Sequence, residues 1–376
     1  MAKKLRVGVI FGGQSGEHEV SIRSAGAVIQ AIDQKKYEII PVAISKEGKW
    51  LGPSEATALL PGLAQTKLTA LSNTASRDVA ILGDPSHRGL VSLNSNGIGE
   101  ESQTLDVVFP VLHGPYGEDG TIQGLLEMAN VPFIGCGVLA SSCGMDKVTM
   151  KALFRDAGLP ICKYIWFLRS DWQNDPETII RKTKRELGFP CFVKPANLGS
   201  SVGVSKAANR EELIKAVNLA ADYDRKIIIE EALVAREIEC AIIGNDKPRA
   251  SLPGEYVIHD EAARFLDYTE KYGSTGKVEF VVPAPLSKAV TEKIQRMAVE
   301  AFKAVDGAGL ARVDFFLKDN KELVVNELNT MPGLTEVSGY PKMWAASGMK
   351  FDEVLNELIE LSFERHRDKL RNKTSR

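Results

Sequence analysis

The sequence predicts an α/β protein, α+β overall, with an N-terminal doubly wound parallel-sheet domain followed by two smaller mixed units. Three observations support this fold class. A strand, a helix and a second strand open the chain, a Gly/Ser-rich loop lies between two strands near residue 200, and an acidic hairpin lies near the C-terminus. A β-α-β opening is typical of a parallel sheet. A length of 376 residues also favours several domains over one core.

The first unit is predicted to span residues 1–145. Its predicted elements are strands over 5–11, 37–44, 106–112 and 133–135 and helices over 17–32 and 121–129. Sheets of this kind bind ligands at the carboxyl ends of their strands. Glu19 follows the first strand after a Gly-Gly turn, and His113 follows the third. Either residue alone would usually be structural, but their shared location favours a ligand site. No chemistry can be assigned to 45–104.

The second unit is predicted to span 146–233, with Asp146 as the N-cap of its first helix. The predicted elements are helices over 146–157, 175–187 and 210–221 and strands over 164–168, 189–194, 204–206 and 226–231. Backbone N–H groups of Gly199, Ser200 and Ser201 can form a phosphate-binding nest, and Lys194 adds a positive charge. The loop lacks the lysine and the helix that follow a Walker A motif. A plain hairpin with an exposed lysine is the alternative.

The strand over 226–231 runs into a connector between the second and third units. Such a connector can contact an adenine edge with backbone groups, and an acid such as Glu237 can bind ribose hydroxyls. Two adjacent glutamates, Glu230 and Glu231, are more often simply exposed, so this segment by itself indicates little.

The third unit is predicted to span 234–376. It contains a helix over 287–305, the acidic hairpin and a terminal helix over about 351–365. The polar segment 262–277 has aromatic residues and glycines but no helix or strand period. A loop of that length is a candidate active-site lid, with a disordered excursion as the alternative.

The hairpin joins a strand over 311–316 to a strand over 324–329, with a turn over 318–321. Alternate residues of a strand share a face, so Arg312 and Asp314 share one face, as do Glu327 and Asn329. A connection with an even number of residues would bring all four onto the same face. Two acids and an amide on an apolar hairpin favour a bound cation. Mg²⁺ takes oxygen ligands and is commonly shared with phosphates. A solvated face with a surface ion pair is the alternative.

Composition excludes several classes of function. A formal net charge of −2 gives no reason to expect nucleic acid or an anionic membrane as a partner. No apolar run approaches the roughly 20 residues that span a bilayer. The N-terminus has no signal-peptide core, and the five cysteines are scattered and odd in number. We therefore expect a cytoplasmic protein with reduced cysteines and small-molecule partners.

Taken together, the motifs resemble the D-alanine–D-alanine ligase family of the ATP-grasp superfamily. They fall in family order and cover nearly the whole chain: FGGQSGEHEVS at 11–21, HGPYGEDG at 113–120, MDK at 145–147, VKP at 193–195, GSSVG at 199–203, DYTEKY at 267–272, ARVD at 311–314 and NELNTMPG at 326–333. The resemblance implies that the second and third units form a two-domain ATP-grasp fold. It also implies a homodimer.

The resemblance implies roles for individual residues. Residues that would bind ATP are Lys147, Lys194, Gly199, Ser200, Ser201, Glu230, Glu231, Leu233, Glu237, Phe265 and Lys271. Residues that would bind two Mg²⁺ ions, which Mn²⁺ can replace, are Asp314, Glu327 and Asn329. Residues around D-alanine and the transferred phosphate would be Glu19, His113, Lys271, Arg312, Gly333, Ser338 and Gly339. Glu19, Ser200 and Tyr272 would latch the lid, and Arg312 with the Gly333 N–H would stabilise an oxyanion.

The implied reaction has two steps. The carboxylate of one D-alanine takes the γ-phosphate of ATP, and the amine of a second D-alanine then expels phosphate from the D-alanyl phosphate. Gly339 stands where the family usually has a larger apolar residue, which predicts weak binding of the second D-alanine. A D-alanine–D-lactate ligase is the alternative, but Tyr272 favours dipeptide formation. A non-catalytic nucleotide-binding regulator would not need Arg312 beside a full metal set.

Overall fold

The computed structural model describes residues 3–68, 78–87, 89–94, 97–258 and 278–373. The predicted lid, with Phe265, Lys271 and Tyr272, lies outside the described residues. The strands are β1 (Leu5–Gly12), β2 (Tyr37–Ile44), β3 (Trp50–Leu51), β4 (Val79–Ile81), β5 (Gly89–Asn94), β6 (Gly97–Thr104), β7 (Val107–Val111), β8 (Tyr164–Leu168), β9 (Cys191–Pro195), β10 (Ser205–Ala207), β11 (Lys226–Glu231), β12 (Arg236–Gly244), β13 (Arg249–Ala250), β14 (Gly254–Ile258), β15 (Val278–Val281), β16 (Gly309–Lys318) and β17 (Glu322–Asn329).

In the described ranges, seven helices lie at predicted positions and five others were not predicted. They are α1 (His18–Ala31), α2 (Pro53–Leu59), α3 (Gly62–Leu68), α4 (Thr121–Met128), α5 (Val138–Met145), α6 (Lys147–Asp156), α7 (Arg169–Asn174), α8 (Pro176–Glu186), α9 (Arg210–Tyr223), α10 (Lys288–Ala304), α11 (Gly339–Ala346) and α12 (Phe351–Lys369). Asp146 caps α6 as predicted, because its carboxylate accepts hydrogen bonds from the N–H groups of Val148 and Thr149.

The N-terminal sheet has the strand order β3-β2-β1-β7. Strands β1, β2 and β7 are parallel, which confirms the prediction from the β-α-β opening. The predicted strand over 133–135 is wrong, because only Phe133 pairs with β7, through one isolated bridge to Val108. Part of the segment 45–104 forms a small antiparallel sheet of β4, β5 and β6.

Two antiparallel sheets follow. The central one has the order β10-β9-β11-β8, and the C-terminal one runs β15-β14-β12-β16-β17 with β13 beside β12. One apolar core joins the N-terminal sheet to the C-terminal helices, since Phe11 and Phe109 belong to the same buried cluster as Tyr340 and Leu355. The domain boundaries at 145/146 and 233/234 stay a prediction. None of the helices in the described part of the chain is long and apolar enough to cross a membrane.

Candidate active site

The carboxyl ends of β1 and β7 create the opening of the site. The strand order reverses there, because β2 lies on one side of β1 and β7 on the other. Ligands of doubly wound sheets bind at such a position. The chain leaves β1 through Gly12 and Gly13, which have φ angles of 92° and 97°, and a Cβ on Gly12 would collide with the carbonyl of Ile44. Only glycine fits this turn, which places the start of α1 over the strand ends.

Glu17, and not Glu19, lies in the cleft. The Ser200 hydroxyl donates a hydrogen bond to the Glu17 carboxylate, which joins the N-terminal unit to the Gly/Ser loop. The Glu19 side chain is 69% exposed and pairs with Lys46 at 3.0 Å. That lysine lowers the pKa of the Glu19 carboxyl. The prediction for Glu19 is therefore wrong in its placement.

The spacing of residues along α1 explains why Glu17, and not Glu19, faces the cleft. The same spacing can be counted in the sequence and would have predicted Glu17. Glu17 lies four residues before Ser21 and seven before Ser24, which are both buried on the inner face of α1. Glu19 lies two residues further along the chain and so faces another side of the helix. Both glutamates stand in the same short motif, and only the helix phase distinguishes them.

His113 and Glu118 follow β7 and are both held by the backbone of the 331–334 segment. The His113 ring lies 3.0 Å from the Met331 carbonyl through Nδ1 and 3.2 Å from the Ser24 hydroxyl through Nε2. Burial lowers the pKa of His113, so the imidazole is neutral near pH 7. Glu118, which the sequence analysis did not single out, accepts hydrogen bonds from the N–H groups of Gly114 and Met331. Burial, with the nearby Glu17 charge, raises the pKa of Glu118 to about 8.

The loop between β9 and β10 is more than a plain hairpin. Ser200 and Ser201 have positive φ angles of 50° and 57°, a conformation that non-glycine residues adopt infrequently. Successive residues in such turn conformations direct backbone N–H groups into a concavity that suits anions. The Lys147 ammonium donates to the Leu198 carbonyl at 2.6 Å, so a lysine lies against this loop.

Lys194 is not the exposed lysine of the alternative interpretation. Its ammonium lies 2.7 Å from the Glu230 carboxylate, whose other oxygen lies 3.0 Å from the ammonium of Lys151. Burial alone would raise the pKa of Glu230, but the two lysines lower it to about 2. Burial likewise opposes the Lys194 charge, and Glu230 raises the pKa of Lys194 above its usual value. Lys151 was not among the predicted site residues, although it occupies the apolar stripe of α6 with Met150 and Phe154.

The predicted ATP-binding residues at and after the end of β11 lie in different surroundings. Glu230 is buried in the ion cluster, whereas the Glu231 carboxylate accepts a hydrogen bond from the Lys163 N–H at 2.7 Å. Leu233 is half-buried, and Glu237 lies in β12 opposite Phe316 of β16. The expectation that the two adjacent glutamates are simply exposed is therefore wrong for Glu230.

The four polar residues of the acidic hairpin lie on one face, as predicted. They do so because of a three-residue turn and a β-bulge, and not because of an even-numbered turn. The turn has three residues, Asp319 to Lys321, between the paired Lys318 and Glu322. In a regular ladder that odd number would pair Asp314 with Asn326. A β-bulge instead leaves Asn326 as an extra residue, and Asp314 pairs with Glu327 and Arg312 with Asn329. Directly paired residues share a face, so the predicted grouping is present.

The grouped side chains contact one another closely. The Arg312 guanidinium forms two hydrogen bonds of 2.7 Å with the Asp314 carboxylate, and the Asn329 amide donates to Asp314 at 3.1 Å. Glu327 lies 3.9 Å from the Lys147 ammonium. Glu239, which was not among the predicted site residues, lies opposite Asp314 on β12 and 3.3 Å from Arg312.

The predicted metal ligands suit an oxygen-binding cation, but they are too few to complete its coordination shell without ligands from other molecules. In the described ranges, no group of three or more His, Cys, Asp or Glu side chains is arranged to hold a metal ion. Asp314, Glu327 and Asn329 supply two carboxylates and one amide on one face. Mg²⁺ requires octahedral coordination and is usually completed by water and substrate phosphates. The donor set thus suits a cation that arrives with a nucleotide.

The predicted acceptor side of the site differs from expectation at Gly339. Ser338 is buried and its hydroxyl lies 2.7 Å from the Thr335 hydroxyl. A Cβ on Gly339 would lie 2.6 Å from the Glu239 carboxylate and 2.8 Å from the Phe280 ring. A side chain at this position would have to displace the Glu239 carboxylate and the Phe280 ring, which already fill the space. The absence of a side chain at Gly339 therefore does not leave empty space beside this residue.

One cavity of about 100 Å³ gathers most of these residues. Its lining includes Glu17, His113, Glu118, Ser200, Arg312, Glu327, Asn329 and Gly333. Neither Lys147 nor Lys194 lines this cavity; Lys147 lies 3.9 Å from the lining residue Glu327, and Lys194 pairs with Glu230. Glu19 lies outside, and Ser338 lines a neighbouring groove with Arg23 and Thr335.

A parallel N-terminal sheet followed by two antiparallel sheets, with a Gly/Ser loop and an acidic hairpin, is the arrangement of the ATP-dependent ligases of the ATP-grasp class. Residues 6–136 match the family described as D-ala D-ala ligase N-terminus, and residues 153–360 match D-ala D-ala ligase C-terminus. The chain belongs to the D-alanine–D-alanine ligase family.

Relatives and solved structures agree with this family. The chain is 47% identical to a D-alanine–D-alanine ligase of Natranaerobius thermophilus, over 99% of this chain and 98% of that one. It is 48% identical to that of Ruminiclostridium cellulolyticum, over 100% and 99%. The D-alanine-D-alanine ligase structure from Coxiella burnetii has a TM-score of 0.81 and 34% identity, covering 98% of each chain. The VanG D-Ala:D-Ser ligase from Enterococcus faecalis has a TM-score of 0.82 and 34% identity, covering 96% of this chain and 100% of that one.

Proposed function

We propose that this chain joins two molecules of D-alanine with cleavage of ATP to ADP and phosphate. The proposal depends most on one observation: the Gly/Ser loop, the acidic hairpin and Glu17 border a single cavity. Phosphoryl transfer needs charge neutralisation and positioning more than covalent catalysis, and these residue types supply both. The family match gives the substrate class.

The residues take the following roles. The N–H groups of Gly199 to Ser201, with Lys147 and Lys194, hold ATP phosphates. Glu17, in place of Glu19, meets the ammonium of the first D-alanine and keeps the Ser200 hydroxyl in position. Arg312 stabilises the oxyanion after exchanging its contact with Asp314 for one with the substrate. Neutral His113 lies beside the substrates.

Asp314, Glu327 and Asn329 would hold two Mg²⁺ ions, or Mn²⁺ in their place. The bound cation would neutralise charge on the phosphate oxygens. Because the chain supplies few oxygen ligands, we expect cation binding to depend on the nucleotide. The lid residues Phe265, Lys271 and Tyr272, the acceptor-site residues Gly333, Ser338 and Gly339, the homodimer and the cytoplasmic location remain parts of this proposal.

The test measures phosphate release with ATP, Mg²⁺ and D-alanine, against L-alanine as a replacement and against D-alanine supplemented with D-serine or D-lactate. We expect release with D-alanine, with ADP and a dipeptide as products by mass spectrometry. Stoichiometric pyrophosphate would exclude γ-phosphate transfer. Faster turnover when D-lactate or D-serine is added to D-alanine would assign a different acceptor and refute the proposed dipeptide.

A further inference from the structure

Lys151 is a buried cation to which the proposed reaction gives no role. It lies in α6 with 1% of its surface exposed. Its ammonium lies 3.0 Å from the Glu230 carboxylate, 3.0 Å from the Asn326 carbonyl and 3.5 Å from the Cys162 sulfur. A buried lysine is costly unless its charge is paired and its N–H groups are satisfied, and here both conditions hold.

The carbonyl that Lys151 contacts belongs to the bulge residue of β17. A bulge leaves its extra residue without a partner in the ladder, so the carbonyl of Asn326 needs another donor. The bulge also decides the direction of the residues that follow. Without the extra residue, Glu327 and Asn329 would point to the face opposite Asp314, because a shift of one residue moves every later side chain to the other face.

The same helix contacts β17 at a second point. The Leu328 N–H lies 3.2 Å from the Met150 sulfur. Lys147, Met150 and Lys151 lie on one side of α6, since residues three and four positions apart are neighbours on a helix. Lys147 approaches Glu327, and Lys151 reaches Lys194 through Glu230. One helix face therefore supplies Lys147, contacts the acidic hairpin and is linked to Lys194 through Glu230.

We propose that Lys151 is a positioning residue: its ammonium holds the Asn326 carbonyl and so maintains the bulge that turns Glu327 and Asn329 toward Asp314. Through Glu230 it also fixes the place of Lys194. Lys151 thus acts through other residues and does not touch the substrates. This inference rests on the proposed function, because it assigns Lys151 to the cation and phosphate site of that reaction.

The test compares Lys151→Met with Lys67→Met. Lys67 donates to the carbonyls of Gln30 and Ile32 at the end of α1, so the control removes a lysine from two carbonyls away from the cleft. Two measurements need no catalysis. The first is Mn²⁺ binding at saturating ADP by electron paramagnetic resonance. The second is amide hydrogen exchange of the segment 322–330 in protein without nucleotide or metal.

We expect Lys151→Met to weaken Mn²⁺ binding by about 10–100-fold, the usual effect of removing a group that orients a metal ligand. We also expect faster exchange at residues 327–329. Lys67→Met should change neither quantity, even where its melting temperature falls. A folded Lys151→Met protein with wild-type Mn²⁺ affinity and exchange would overturn the inference.

A second comparison covers the case in which Lys151→Met does not fold. The double variant Lys151→Met/Glu230→Gln removes one positive and one negative charge from the cluster, so its net charge stays that of Lys194 alone. Its Mn²⁺ affinity must be lower than that of Glu230→Gln alone, and equal affinities would refute the role of Lys151. If the wild-type protein fails to bind Mn²⁺·ADP, the proposed function fails first.

Discussion

Replacing Glu17 by Gln should sharply reduce D-alanine ligation, whereas the same change at Glu19 should have almost no effect. Glu17 is half-buried and accepts the Ser200 hydroxyl, so the substitution weakens a hydrogen bond to a charged group. Such a bond contributes about 1.5–3 kcal/mol, which corresponds to roughly a 10–150-fold loss. Loss of the attraction for the substrate ammonium acts in the same direction.

The assay is steady-state phosphate release at varied D-alanine, reported as kcat/KM. Glu19→Gln is the matched control, because the Glu19 side chain is 69% exposed and its ion-pair partner Lys46 is 62% exposed. Its kcat/KM should stay within about twofold of wild type. Thermal unfolding of both variants verifies that each is folded. An inactive Glu19→Gln protein beside a fully active Glu17→Gln protein would show that the cleft residue has been assigned incorrectly.

Three further changes have defined outcomes. Glu118 has a folded pKa of about 8, above its unfolded value, so its contribution to stability is present at low pH and is lost as the pH rises through about 8. The fall in melting temperature between pH 6 and pH 9 should therefore be smaller in Glu118→Gln; equal falls would contradict this. Gly339→Leu should lower the free energy of unfolding by about 1–3 kcal/mol in urea without improving acceptor binding, because Glu239 and Phe280 fill the space. A tighter acceptor KM would refute this. Tyr272→Phe removes the hydroxyl of the proposed lid latch, and because a typical hydrogen bond contributes about 0.5–1.5 kcal/mol, we expect relaxed discrimination against D-lactate; an unchanged acceptor preference would exclude the latch.

Local patterns predicted most of the fold. Strands such as β2, β8 and β11 have the predicted bounds, because continuous apolar runs ending in turn residues are local signals. The helix that begins after Asp146 was predicted from its cap, which is also local. The error at residues 133–135 has a physical cause, since an apolar triplet meets the sheet at one bridge without extending the ladder.

The site was less predictable because its geometry depends on phase and on long-range contacts. Glu17 and Glu19 stand in one motif, and the residue at which α1 begins decides which of them faces Ser200. Gly339 looked like a missing wall because the side chains that fill its place come from β12 and β15, far away in sequence. The pattern of one sequence can show which side of a helix a residue lies on. It cannot show which residues from distant strands pack beside a given position.

The acidic hairpin shows how a correct prediction can rest on an incomplete reason. Grouping Asp314 with Glu327 requires an even number of intervening residues, and the turn alone supplies an odd number. The extra residue at the bulge, Asn326, makes the number of intervening residues even. The Asn326 carbonyl accepts a hydrogen bond from Lys151, a residue 175 positions earlier in the chain. A bulge costs a ladder hydrogen bond, so it persists where another contact compensates for that loss. The direction of Glu327 is therefore set by α6 as much as by β17, and a change in either should alter cation binding before it unfolds the hairpin.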